Sequence, residues 1–194
     1  MLSNPQNYDK RRYQKIASLL KEKKNGMLLD VGCGNGAVEY HLKSSCDFDF
    51  YGFDKKDKVV ALAKQNLDNP NYIVSDGNKK FPYEDNTFDV VLCIGLLEHI
   101  ENPHNVVKEC LRVMKPDGVG IINTPNAYQF DLYHYINKPI LPEKAIYYFT
   151  PNVLTGLIKR YGGHIDYINM SCFIPFNLNF RRIYVKFSKE LKKK

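Results

Sequence analysis

The chain has 194 residues, 44% apolar and 25% charged, the composition of one ordinary globular domain, which excludes a disordered chain. No apolar run nears the ~18 residues of a membrane span, and the start, MLSNPQNYDKRRYQ, holds no apolar signal-peptide core, so a cytoplasmic location is expected. The net charge of +7 is uneven, with +5 over residues 1–26, +6 over 181–194 and −4 between them, which argues against a nucleic-acid-binding face on the body. Basic ends equally suit solvated termini or peripheral contact with an anionic membrane.

The elements are read in chain order. Residues 8–24 form a basic leading helix, with Ile16, Leu19 and Leu20 at helical spacing. Met27–Val31 is a short buried strand that runs into glycines, and Ala37–Lys43 is a helix. Phe48–Phe53 is a second strand ending at Asp54, and the helix Val59–Leu67 stops at Asn69-Pro70. Tyr72–Val74 and Asp89–Ile94 are strands three and four. Pro103 opens a helix to about Met114, Lys115–Gly118 is a turn, and Val119–Ile122 is strand five. Asn152–Arg160 is a helix and His164–Met170 a sixth strand. Strands alternate with helices at short intervals, which predicts an α/β fold with a mostly parallel central sheet and helices on both faces. There is no internal repeat, so residues 1–194 are read as a single domain.

Two stretches break the alternation. Residues 127–150 contain seven Phe or Tyr in 24 positions, over twice the 13% aromatic share of the chain. In 180–194, Ile183, Val185 and Phe187 alternate as in a strand, while Phe180, Ile183, Tyr184, Phe187 and Leu191 fit a helix. The expectation is a basic amphipathic helix, a tail at 181–194 that could lie on an anionic membrane. The five cysteines (Cys33, Cys46, Cys93, Cys110 and Cys172) are odd in number and form no Cys-x-x-Cys, so reduced, packed thiols are expected rather than disulfides or zinc.

The strongest motif is LLDVGCGNGAV at 28–38, a strand that runs into Gly32-x-Gly34-x-Gly36 and then a helix. Such glycines allow a tight turn and close approach of the backbone to a ligand. The third glycine arrives one residue sooner than in the dinucleotide pattern, which argues against a dehydrogenase. Acids end strands two and three, in Phe53-Asp54 and Ser75-Asp76-Gly77. A carboxylate accepts hydrogen bonds from a ribose diol or an exocyclic amine, although Asp54 could instead cap the next helix and Asp76 form a turn.

These motifs resemble those of class I S-adenosylmethionine-dependent methyltransferases. FDVVLCIGLLEHI at 88–100 and LRVMKPDGVGIINTPN at 111–126 are similar to the ubiquinone-biosynthesis-like branch. The resemblance covers roughly residues 8–165. It implies a Rossmann-like methyltransferase fold and S-adenosyl-L-methionine as cofactor. The implied cofactor residues are Arg12, Asp30, Gly32, Gly34, Asp54, Lys55, Asp76, Gly77 and Ile94. Arg12 would pair with the cofactor carboxylate, Asp54 with the ribose and Asp76 with the adenine amine; Asp30 would orient the loop or the cofactor ammonium.

Glu98 and His99 follow strand four, where the methyl group would sit, and are the catalytic candidates. A hydroxyl acceptor must lose a proton, and His is the natural base near neutral pH. The plainer reading is that both brace the loop before the Pro103 helix. Some relatives carry a further acid three residues before the Glu that helps hold a metal; this chain has Gly95 there, so no metal is expected. It also lacks the Pro-Pro motif of base-amine methyltransferases and the nucleophilic Cys of cytosine-5 enzymes. The expected acceptor is a small molecule, lipid precursor or glycan, methylated at a hydroxyl oxygen. Alternatives are an RNA- or protein-associated methyltransferase tethered by basic termini, or a cofactor-binding module without catalysis. In the aromatic insertion, expected to form an acceptor pocket or lid, Tyr128, Phe130, Tyr133, His134, Tyr135, Tyr147 and Tyr148 are candidate wall residues. His134 is a second candidate base.

Overall fold

The apolar run at 27–31 becomes β1 (Asn25–Val31), an inner strand of the seven-stranded sheet that the described residues form. The structure is a computed structural model, and it describes residues 10–127, 145–170 and 182–189. On one side of β1 lie β2 (Asp47–Asp54) and β3 (Tyr72–Val74), both parallel to it. On the other side lie β4 (Phe88–Ile94) and β5 (Met114–Pro125), also parallel. Beyond β5 come β7 (Arg182–Lys189) and then β6 (Gly163–Met170). β7 runs antiparallel to both neighbours, so the sheet is mostly parallel with one reversed strand. The chain winds outward from β1 to β3 and then restarts at β4 on β1's other side. That reversal opens a crevice at the carboxyl ends of β1 and β4, where an open α/β sheet binds ligands.

Both sheet faces are buried, as a parallel sheet requires. Leu28, Val90, Leu92 and Tyr184 pack against α1 (Lys10–Leu19) and α2 (Ala37–Leu42), while α3 (Asp57–Leu67) buries Val60 and Ala63 against Tyr72. On the other face, Leu29, Val91, Ile122 and Val185 pack against α4 (Pro103–Val113) and α5 (Pro151–Arg160). Asn102 and Thr150 cap those two helices by accepting from the amides of Asn105 and Val153, and proline occupies the first turn of each. The helix expected at 37–43 ends one residue earlier, and the leading helix is shorter than 8–24.

Two expectations are corrected. Residues 182–189 are a strand inside the sheet, not an amphipathic helix. Ile183, Val185 and Phe187 face the α4/α5 core and are fully buried, while Arg182, Tyr184 and Lys186 point to the α1 side. The decisive feature is Gly120, which lies opposite Phe187 and whose missing side chain makes room for that ring. Lys115–Gly118 falls within β5 rather than between elements. The ladder passes from Phe88 paired with Met114 to Val90 paired with Val119, so these residues form an irregularity in a continuous strand. Of the aromatic insertion, 128–144 lies outside the described residues, and with it Tyr128, Phe130, Tyr133, His134 and Tyr135. Arg181, Cys172 and 190–194 lie outside them as well.

Candidate active site

The glycine turn continues the sheet past the end of β1. Gly32 and Cys33 donate their amides to the Phe53 carbonyl at 2.9 and 3.0 Å. Gly32, Gly34 and Gly36 have φ of 79, 54 and 76°, the left-handed region that side chains disfavour. The three differ in surroundings. A Cβ on Gly32 would lie 3.0 Å from Leu96, whereas one on Gly34 would meet nothing within 4 Å. Gly32 serves packing, and Gly34 faces an open cradle.

Asp54, at the end of β2, ties this turn to the next. One carboxylate oxygen accepts from the Gly34 amide at 3.2 Å, the other from the Lys56 amide at 3.0 Å. Each oxygen keeps a lone pair for a ligand hydroxyl. Asp76 follows β3; its Oδ1 accepts from the Asn78 amide at 3.0 Å, and Lys55 approaches its Oδ2 at 3.5 Å. The Asn78 amide, and then Lys55, hold the Asp76 carboxyl below its ordinary pKa. Gly77 is buried against Ile100 and Val106, and its carbonyl accepts from the Asn105 side chain at 3.2 Å.

Beneath the glycine turn lies a group that sequence reading misses. Glu39, on α2, is fully buried, and its carboxyl interacts with that of Asp30, itself 1% exposed. Asp30 Oδ1 and both Glu39 oxygens lack hydrogen-bond partners among the described residues. Two buried carboxyls in contact cannot both ionise. Burial, foremost, pushes Asp30 up to about 7 and Glu39 well above its usual value, while Arg12 favours the Asp30 anion. A Glu in a short helix carries no sequence signal of burial, so only the packing reveals the pair.

The end of β4 carries the second half of the site. Ile94 is buried on the α1 face, and the Gly95 amide donates to the Asn123 carbonyl at 2.8 Å. Glu98 is 2% exposed, within a 3-10 turn (Leu97–His99). Its carboxylate accepts from Thr124 Oγ1 at 3.1 Å and faces Arg182 Nη1 at 3.6 Å. Its backbone carbonyl accepts from the amides of Ile146 and Tyr147, at 2.6 and 3.2 Å. Glu98 thus joins β5, β7 and the end of the aromatic segment. His99, the next residue, is exposed. Arg12 reaches the same spot from α1; its Nη2 lies 2.7 Å from where a Cβ on Gly95 would be. Among the sequence candidates, Arg12 and Glu98 meet at Gly95, while Asp54 and Asp76 gather on the β2/β3 side. Arg182, Asn123, Thr124 and Glu39 are additions from the structure. A cavity of about 510 Å³ opens between α4, α5 and residues 147–149, lined by Glu101, His104, Tyr147, Tyr148 and Arg160 among others.

Residues 29–122 match the methyltransferase domain family. The ubiquinone biosynthesis O-methyltransferase of Dechloromonas aromatica is 32% identical over 114 residues, 53% of this chain and 47% of that protein. The seven-stranded sheet, the open glycine cradle and the acids at the ends of β2 and β3 point the same way as that match. The matched part, residues 29–122, resembles a class I S-adenosylmethionine-dependent methyltransferase domain. The sterol 24-C-methyltransferase of Schizosaccharomyces pombe is 32% identical over 102 residues, half of this chain but 27% of that protein. The chain spans about half the length of the ubiquinone-biosynthesis relatives it matches. Among solved structures, magnesium protoporphyrin IX methyltransferase from Synechocystis, with bound S-adenosylhomocysteine, superposes with a TM-score of 0.72 at 16% identity, covering 93% of this chain and 83% of that one. The cyclase SpnF reaches 0.74 at 16% identity, covering 93% and 81%. A cyclase on the same scaffold means that the fold alone does not name the reaction.

The residues present fit the cofactor of this family. The cradle at Gly34 admits a ligand backbone, Asp54 has acceptor capacity for a diol, and Asp76 for an amine. Arg12 supplies a guanidinium, which suits a carboxylate. No helix among the described residues is long and apolar enough to cross a membrane.

Proposed function

We propose that this chain transfers a methyl group from S-adenosylmethionine to a hydroxyl oxygen of a small-molecule, lipid-precursor or glycan acceptor, with His99 as general base. The observation that carries the base assignment is the contrast between two adjacent residues. Glu98 is buried and committed to Thr124 and Arg182, while His99 is exposed at the carboxyl end of β4. Glu98 braces the wall, and the imidazole beside it reaches the surface at that edge.

S-adenosylmethionine, when bound, supplies an electrophilic methyl group on a sulfonium. The protein's own work is positioning, which can supply a large part of a displacement barrier. Asp54 and Asp76 would hold the ribose and adenine, Gly34 would admit the chain between them, and Arg12 would hold the carboxylate. His99 would take the proton that the acceptor hydroxyl loses. Tyr147 and Tyr148, lining the cavity between α4 and α5, supply apolar faces for a ring or sugar. The O-methyltransferase names among the relatives support oxygen as the target.

The tethered-RNA reading loses support from the packing. Arg182 bonds Asn123 and faces Glu98, and Lys189 donates to Asn86 and to the Met114 carbonyl, so these charges serve the sheet. The test of the proposal is an acceptor screen with methyl-labelled cofactor over phenols, isoprenoid alcohols and sugars, run in parallel with His99→Ala. Label appearing on an oxygen and lost in the variant is the expected result. Label on nitrogen or carbon, or unchanged turnover in His99→Ala, overturns it.

A further inference from the structure

Two guanidiniums converge at the carboxyl edge where the sequence suggested one. Arg182 is the first residue of β7, opposite Pro125, and shares the α1 face with Tyr184 and Lys186. It therefore comes to Arg12 although the two are far apart in the chain. A Cβ on Gly95 would lie 2.7 Å from Arg12 Nη2, 3.2 Å from Arg182 Nη1 and 3.6 Å from Glu98 Oε1. Gly95, with φ 73° and no Cβ, lets both guanidiniums close on its backbone.

Among the described residues, two guanidiniums and the carboxylate of Glu98 meet at this point. Arg182 is largely buried, and Arg12 is one of the charges that disfavour its cationic form, so the guanidiniums repel each other. Glu98 answers Arg182, held in place by Thr124. Near Arg12 the described acid is Asp30, whose proton is contested with Glu39. Arg12 Nε is buried and without a hydrogen-bond partner among the described residues. Like charges held together at a ligand-binding edge are relieved by an anion between them. Guanidiniums match a carboxylate in shape and in donor count.

We propose that Arg182 and Arg12 together bind a ligand carboxylate over Gly95, which makes β7 part of the active site. Arg182 is held for this contact at one nitrogen: Asn123 Oδ1 accepts from its Nη1 at 3.0 Å, and Glu98 Oε1 faces the same Nη1 at 3.6 Å. The carboxylate has two sources, the amino-acid end of the cofactor or an acid group on the acceptor. The proposal rests on the methyltransferase reading for the cofactor source alone.

The test uses calorimetry with the full chain and three probes. S-adenosylhomocysteine carries the carboxylate; 5′-methylthioadenosine shares the nucleoside but lacks the amino-acid end. Benzoate is added to protein saturated with the nucleoside ligand, or to free protein if neither nucleoside binds. For the cofactor source, the wild-type chain should prefer S-adenosylhomocysteine strongly. Arg182→Met should weaken that ligand about 10- to 100-fold, as expected for a hydrogen bond to a charged group, and leave methylthioadenosine within about twofold. Arg182→Lys should restore part of the loss. For the acceptor source, both nucleosides stay unchanged, and benzoate binds wild type but not Arg182→Met. Equal weakening of both nucleosides, or no carboxylate preference with any probe, overturns the proposal. If Arg182→Met does not fold, the wild-type preference decides: equal affinity for both nucleosides with no benzoate binding rejects the clamp. If neither nucleoside binds wild type, the methyltransferase reading fails, and benzoate alone decides the clamp.

Discussion

The two halves of the site are built by different means. On the β1–β3 side, Gly34, Asp54 and Asp76 follow strand ends, and the two carboxylates are held by backbone amides of their own turn or of the adjacent glycine turn. On the β4–β7 side, Glu98, Asn123, Thr124 and Arg182 are held by one another across two strands and a turn. The first half is a set of local turns on a rigid edge. The second is a cross-strand network that exists only once the sheet is complete. Perturbing the first half should therefore change binding with little effect on folding, whereas removing β7 should cost both.

The largest effect follows from deleting residues 181–194. Burying side chains such as Ile183, Val185 and Phe187 is worth about 1.5–3 kcal/mol each, and the deletion also parts β6 from β5. Loss of the cooperative thermal transition in circular dichroism is expected. A truncated chain that melts like wild type and binds S-adenosylhomocysteine would return this segment to a dispensable tail.

Next comes His99→Ala. A lost general base should lower turnover about 10²–10⁴-fold, with cofactor affinity changed by no more than a few-fold. Steady-state rates with an identified acceptor, set beside calorimetry, separate the two effects. A parallel loss of binding would place His99 in the cofactor half instead.

Asp54→Ala should cost about 1.5–3 kcal/mol of S-adenosylhomocysteine binding. Because Asp54 also holds the amides of Gly34 and Lys56, Asp54→Asn should recover part of that loss. The melting temperature should move little in either. If Asp54→Ala unfolds while the surviving folded fraction binds normally, the residue belongs to the scaffold.

The difference between the halves also explains what the sequence reveals. β1 to β5 are legible because each is a short apolar run bounded by glycine, proline or acid. Asp54 and Asp76 are legible because a strand end fixes where they point. Arg182 is not, since a basic residue beside Ile183 and Phe187 fits a helix as well as a strand. Pairing with Gly120, distant in the chain, decides between them. Glu39 is hidden for a similar reason: its burial depends on Asp30 and Tyr72, both on other elements.

The Asp30–Glu39 pair gives an effect of another kind, on stability against pH. Burial raises both carboxyls in the folded state, Asp30 up to about 7. The folded protein then keeps protons that the unfolded chain releases near pH 4. Their contribution is full below that pH and is lost as pH rises towards 7, at roughly 1 kcal/mol per unit for each retained proton. Glu39→Gln, which cannot ionise, should flatten this slope in urea unfolding curves between pH 5 and 8. An unchanged slope would mean that the pair is not the titrating group.

The most direct test of the whole account is calorimetric titration of the wild-type chain with S-adenosylhomocysteine and, separately, NAD. The open cradle at Gly34, the shortened glycine spacing and the acids after β2 and β3 predict micromolar binding of the sulfur nucleoside and none of NAD. Binding of NAD, or silence with S-adenosylhomocysteine, would contradict it.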